Sequence, residues 1–71
     1  MNKQLLKAYI VKYDGKQANL AEAMGISLSR LNAKINEKSA EFTQSEISFI
    51  RERYHLTNEE VADIFFNERV S

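Results

Sequence analysis

Apolar residues recur at helical spacing along most of the chain. Beginning at Asn2 or Lys3, Leu5, Leu6, Tyr9, Ile10 and Tyr13 share one wide face, while Lys3, Lys7 and Lys12 lie outside it. That pattern predicts a first helix, and Asp14-Gly15 stops it, with Gly15 as the residue just past the helix end. Leu20, Ala21 and Met24 then form an apolar stripe at i, i+1 and i+4. Gly25 follows at once, and glycine accepts the left-handed conformation that closes a helix. Ser27 is placed to cap a third helix, in which Leu31 and Ile35 turn one face inward. A polar loop, residues 37–41, leads to two matching start signals. Thr43 with Glu46 and Thr57 with Glu60 make capping boxes, and Phe42/Ile47 and Leu56/Val61 occupy the staple positions around them. The fourth helix runs through Phe49 and Ile50 to about Tyr54; Val61, Ile64 and Phe65 form the inner stripe of the fifth. The expectation is an all-α chain of five helices with short connections, a single domain over residues 1–71, with no proline to break any helix.

The stretch from Gln17 to Asn36 is organised differently from the rest. Two short helices meet at a sharp corner, and the outward face of the second shows Ser29, Arg30 and Ala33, flanked by Asn32, Lys34 and Asn36. These side chains are short or polar, two are cationic, and no acid intervenes before Glu37. A corner that buries one face of a helix and presents a small, cationic other face suits entry into a major groove.

Composition narrows the alternatives. A 71-residue chain is near the size at which one core is only just sufficient, so little is left over for a second domain. With no cysteine there is neither a disulfide framework nor a thiolate metal site, which fits a reducing interior. No apolar run approaches the length of a membrane span or signal segment. A soluble, cytoplasmic protein is expected.

The net charge is zero, which taken alone argues weakly against nucleic acid, but the charges are segregated. Residues 1–38 hold seven basic side chains (Lys3, Lys7, Lys12, Lys16, Arg30, Lys34, Lys38) against Asp14, Glu22 and Glu37, a balance of +4. Residues 39–71 hold Arg51, Arg53 and Arg69 against seven acids, a balance of −4. One pole can meet phosphates while the acidic side is turned away. A solvated surface that segregates by chance would look the same.

Catalytic chemistry finds no support in the sequence. His55, the single histidine, falls in a turn with no further ligands arranged around it. Glu59-Glu60 resembles a carboxylate pair, but Glu60 serves a cap and Glu59 suits the first turn of a helix. No Ser–His–acid set, phosphate-binding glycine loop or cofactor motif occurs, so no enzyme, cofactor, metal or small-molecule substrate is expected.

The run Gln17…Leu20-Ala21…Gly25-Ile26-Ser27…Leu31 resembles the helix-turn-helix of phage Cro and repressor proteins, the XRE-type DNA-binding domain. In that motif a small residue stands at the position of Ala21, glycine at that of Gly25 and an aliphatic residue at that of Leu31. The likeness extends over roughly residues 2–66, with its specific part about twenty residues long. It implies a compact lambda-repressor-like fold with the motif at helices two and three. It also implies a small phage or prophage regulator that binds double-stranded operator DNA, usually an inverted repeat, as a homodimer formed in solution or only on DNA.

Carried over position by position, the resemblance gives Gln17 a backbone phosphate and support of the recognition helix. Ser27, Leu28 and Ser29 stand where base edges are first met, with Asn32 and Ala33 one turn further on, and Asn36 and Lys38 would meet phosphate just beyond the helix. Arg30 is the side chain best suited to a base, since its fork can bind guanine O6 and N7, and it could equally anchor on phosphate. Leu28 can seal the corner of the core, the preferred expectation, or meet a thymine methyl; Ala33 can meet a methyl or merely favour the helix.

Two positions depart from the family. Many relatives have Asn-Gly-Lys where this chain has Asn36-Glu37-Lys38, which leaves Asn36 to take the left-handed position and sets Glu37 against a phosphate. The second aliphatic anchor, Ile35, stands one place later than in many members and turns the exposed face slightly. At the end of the chain Phe65 and Phe66 cannot both face the core, so Phe66, with Val70, is a candidate dimer contact. The rival expectation is a protein-interaction module on the same fold, such as an antirepressor or assembly factor, favoured by the zero net charge and Glu37.

Overall fold

The computed structural model describes residues 1–38 and 40–66, in which five α-helices and no strand are found. They are α1 (Lys3–Asp14), α2 (Gln17–Met24), α3 (Leu28–Ile35), α4 (Gln44–Tyr54) and α5 (Asn58–Phe65). Each boundary has a local cause. Asn2 caps α1 by accepting from the Leu5 amide at 3.1 Å, and Gly15, at φ 83°, returns its N–H to the carbonyls of Ile10 and Val11. Gly25, at φ 76°, closes α2, and Ser27 Oγ accepts from the Arg30 amide at 3.1 Å to open α3. Both capping boxes form as the sequence predicts: Thr43 and Thr57 each accept from the amide three residues on, while Glu46 and Glu60 reach back to the Thr amides at 2.9 and 2.8 Å.

The inner faces of these helices supply one core: Leu6 and Ile10 of α1, Leu20 and Ala21 of α2, Leu31 and Ile35 of α3, Ile50 and Tyr54 of α4, and Val61 and Ile64 of α5, with Leu56 between the last two. Helix α1 packs on α2 and on α5, α2 on α3, and α4 on α5. The staple residues Phe42 and Ile47 are partly buried against this core, and Phe42 meets Phe65 edge to face at 5.5 Å. Tyr13 differs from its expected place: it is about half exposed, stacked between Tyr9 and Tyr54.

The exit from α3 departs from expectation. Asn36 keeps a right-handed backbone, φ −88°, and Glu37 is the left-handed residue, φ 56°. Leu31 and Ile35 must both reach the core, so α3 stays helical through Ile35 and the reversal falls two residues later. The Glu37 amide then donates to Lys34 O at 3.2 Å and the Lys38 amide to Ala33 O at 2.9 Å, the paired bonds of a Schellman closure. His55 closes α4 in the same way, at φ 55°.

One ion-paired cluster fixes the base of α1. Asp14 stands at the carbonyl end of that helix, where the helix dipole disfavours an acid, and its carboxylate is almost wholly covered. Arg53 answers it with Nη2 at 2.6 Å and Nε at 3.2 Å, and the Tyr54 hydroxyl donates to its other oxygen. The hydrogen bond from Arg53 holds the Asp14 carboxyl below the usual range, against burial and helped by Tyr54, while burial and Asp14 push the Tyr54 phenol well up. Asn19 completes the join between α1 and α2 by donating to the Asp14 carbonyl at 2.7 Å.

Candidate nucleic-acid interface

The surface presented by α3 is built by two constraints. Gly25 and Ser27 set the corner, and Leu31 and Ile35 drive the opposite side of the helix into the core. Four consecutive residues, Ser27, Leu28, Ser29 and Arg30, are left exposed; Asn32 and Ala33 are half-buried behind them, and Asn36 and Lys38 are exposed beyond the helix. Gln17 is half-buried as the first residue of α2, whose start has no side-chain cap. The residues singled out from the sequence therefore stand on α3, the turn before it, the segment after it and the start of α2.

Leu28 is a correction: it does not seal the core but is 43% exposed, in the first turn of α3. The corner is filled instead by Ile26 and Met24, both partly buried against the core, which leaves Leu28 no inward space to claim. Ser27 is occupied in part, since its oxygen accepts from Arg30 N and its hydroxyl hydrogen remains to donate.

Lys34 is the second correction. It does not flank the outward face but is 3% exposed, one turn after Leu31 on the inner side. Its ammonium donates to the Glu41 carbonyl at 3.1 Å and to Glu46 Oε1 at 3.0 Å, and lies 6.0 Å from the Phe42 ring centre. Burial raises the Glu46 carboxyl, but the Thr43 amide and Lys34 outweigh it and hold the group below its usual range. Arg30 is thereby left as the cation on the exposed part of α3. Sequence patterning missed Lys34 because a buried lysine is recognisable only once its acceptors, on the following loop and helix, are in place.

Phe66 is 54% exposed, beside a shallow cavity of about 340 Å³ whose apolar walls include Met1, Phe42, Ile47 and Phe65. Val70, paired with Phe66 as a candidate contact, lies outside the described residues. His55 is an exposed turn residue. Among the described residues no group of three or more His, Cys, Asp or Glu is gathered as a metal site, and no helix is long and apolar enough to cross a membrane. Comparison of the chain with known protein families, with characterised proteins and with solved structures finds no match.

Proposed function

We propose that the chain is a sequence-specific DNA-binding transcriptional regulator of the Cro/repressor type, encoded by a phage or prophage and acting in the cytoplasm. In this reading α2 and α3 form the helix-turn-helix of a lambda-repressor-like domain, and α3 enters the major groove. The observation that carries it is the uninterrupted exposed run Ser27-Leu28-Ser29-Arg30 on a helix whose other side, Leu31, Lys34 and Ile35, is inside the protein. Leu28 fits a thymine methyl, Arg30 a guanine edge, and Ser29 and Asn32 can donate or accept between them. Gln17, Asn36 and Lys38 would hold phosphates on either side, and these contacts set register rather than sequence.

Regulation would follow from occupancy: the bound protein blocks, or less often assists, polymerase. Two protomers on an inverted repeat would place their α3 helices about one helical turn apart. The half-exposed Phe66 is the candidate contact between them; Phe66→Ser should reduce cooperative binding and leave half-site affinity unchanged, and unaltered cooperativity would remove Phe66 from the interface. The same exposed Phe66 and its neighbouring cavity also favour a second reading, in which the chain binds another protein and not DNA.

Selection from a random duplex library at moderate salt, followed by sequencing, decides between them. An enriched inverted repeat supports the regulator and its dimer together, whereas an enriched half-site supports the regulator without the dimer. Weak, salt-sensitive binding with no enriched sequence would sink the regulator in favour of the protein-binding reading.

A further inference from the structure

We propose that Lys34 is a positioning residue for the DNA-binding face: inside the protein, its ammonium fastens the chain that leaves α3 to the N-terminus of α4, and so fixes where Asn36 and Lys38 stand beside the recognition helix. The consequence for DNA rests on the reading given above; the fastening itself rests on geometry alone. An ammonium has three protons to place. Here one goes to the Glu41 carbonyl at 3.1 Å and one to Glu46 Oε1 at 3.0 Å, with the Phe42 ring 6.0 Å away. The same Glu46 oxygen accepts the Thr43 amide at 2.9 Å, so one carboxylate joins the start of α4 to a side chain of α3. Asn36 and Lys38 lie between the two fastened ends, Ile35 in the core and Glu41 on the ammonium.

A buried ion pair is a weak source of stability, because desolvation offsets most of the attraction, and an apolar side chain of equal length fills such a site as well. What the apolar substitute lacks is direction. Hydrogen bonds to a named carbonyl and a named carboxylate oxygen hold one loop geometry, whereas methionine in the same space tolerates several. Lys34 thus touches no base or phosphate and acts through the residues it holds.

The test uses the double variant Lys34→Met with Glu46→Gln. Methionine keeps the volume of the lysine stem, and glutamine retains the side-chain half of the capping box. In the DNA-free protein, hydrogen exchange should quicken by about tenfold or more at the amides of Lys38 and Thr43, with those of Leu31 and Ile50 unchanged. Affinity should fall by about tenfold on the selected operator and on unrelated duplex alike, the slope of log affinity against log salt should shrink by about 1, and the preferred bases should stay the same. Lys34→Arg, which keeps a buried cation, should restore both readouts. Lys34→Met alone should shift them in the same direction, because the Glu46 carboxylate it leaves behind is partly open to water and keeps the Thr43 amide; that variant keeps the proposal testable if the double variant fails to fold.

A merely structural lysine would lower the melting temperature and leave affinity and salt slope of the folded protein alone. Unchanged exchange at Lys38 and Thr43 would overturn the proposal whether or not the chain binds DNA. If the wild-type protein binds duplex and the variant binds it equally well with the same slope, the proposal fails and the DNA reading stands. If the wild-type protein selects no duplex at all, the DNA reading fails and takes the positioning role with it.

Discussion

Asp14 shows how one side chain can tie stability to pH. Its carboxyl is held below the usual range chiefly by the Arg53 hydrogen bond, with burial opposing and Tyr54 assisting. A carboxyl depressed by folding contributes stability in full above its ordinary value near 4, and loses it as pH falls through the folded value. Arg53→Ala should therefore lower stability at pH 7 by about 1–2 kcal/mol, with allowance for the partly exposed guanidinium. It should also flatten the loss of stability between about pH 5 and 2, because Asp14 then has less to lose. Denaturant unfolding across that range checks both, and parallel curves for the two proteins would refute the assignment. Arg30 is the opposite case, exposed and without a part in the core. Only its backbone amide serves the fold, by donating to Ser27, and alanine keeps that amide. Arg30→Ala should leave the melting temperature within a few degrees and weaken specific binding by about 1–3 kcal/mol if the side chain reads a base. An equal loss on every sequence, in a titration against matched and scrambled duplexes, would mark a phosphate contact instead. Arg30 was legible in the sequence because exposure on a helix follows from period alone. Lys34 was not, since period places it at the margin and only the acceptors at Glu41 and Glu46 bring it in.

At the scale of the element, the signals that could be read were those closed within three or four residues. Thr43/Glu46, Thr57/Glu60 and Gly25 each settle a helix boundary from neighbours alone, and each boundary falls where the sequence puts it. The end of α3 could not be read this way. Asparagine tolerates a left-handed backbone better than glutamate does, which singles out Asn36; the depth to which Ile35 must reach moves the reversal to Glu37. Glu37 thus occupies the position that the resembled family gives to glycine. An L-residue in that conformation costs about 1–2 kcal/mol, and glycine gives back about 0.5–1 through its freer unfolded chain. Glu37→Gly also removes the 3.9 Å ion pair between the Glu37 carboxylate and the N-terminal amine, so its net effect on stability should lie near zero. It also removes an acid from beside Lys38, so affinity for duplex should rise. His55→Gly, at a matching backbone angle between α4 and α5, should give the same relief of strain and no change in affinity. Thermal melts and duplex titrations of the two variants check the pair; a fall in melting temperature for His55→Gly would contradict the strain argument.

For the whole molecule, the question is what a neutral chain can do with phosphates. Among the described residues, Lys34 with Glu46 and Arg53 with Asp14 are ion pairs that cross between the halves of the sequence. Each half loses one charge of each sign to them, so the balance of +4 against −4 survives folding. What changes is which cations bear on α3. With Lys34 inside, the exposed basic residues around the proposed interface are Lys16, Arg30 and Lys38. If each neutralises one phosphate, log affinity should fall against log salt with a slope of about −3 for one protomer and about −5 for two on an inverted repeat. That is shallower than the slope of about −10 shown by a repressor that neutralises many more phosphates. The acidic half would make the free protein reluctant to bind DNA in any other orientation, so non-specific binding should be weak and the specificity ratio set mainly by base contacts. Titrations of the selected duplex from about 50 to 200 mM salt measure the slope directly. A value near −3 with a single bound protomer, or near −5 with two, would fit α3 in the groove with Lys16, Arg30 and Lys38 on phosphates. A slope near zero would mean that phosphates are not contacted, and the outward face of α3 would then have to be read as a surface for another protein.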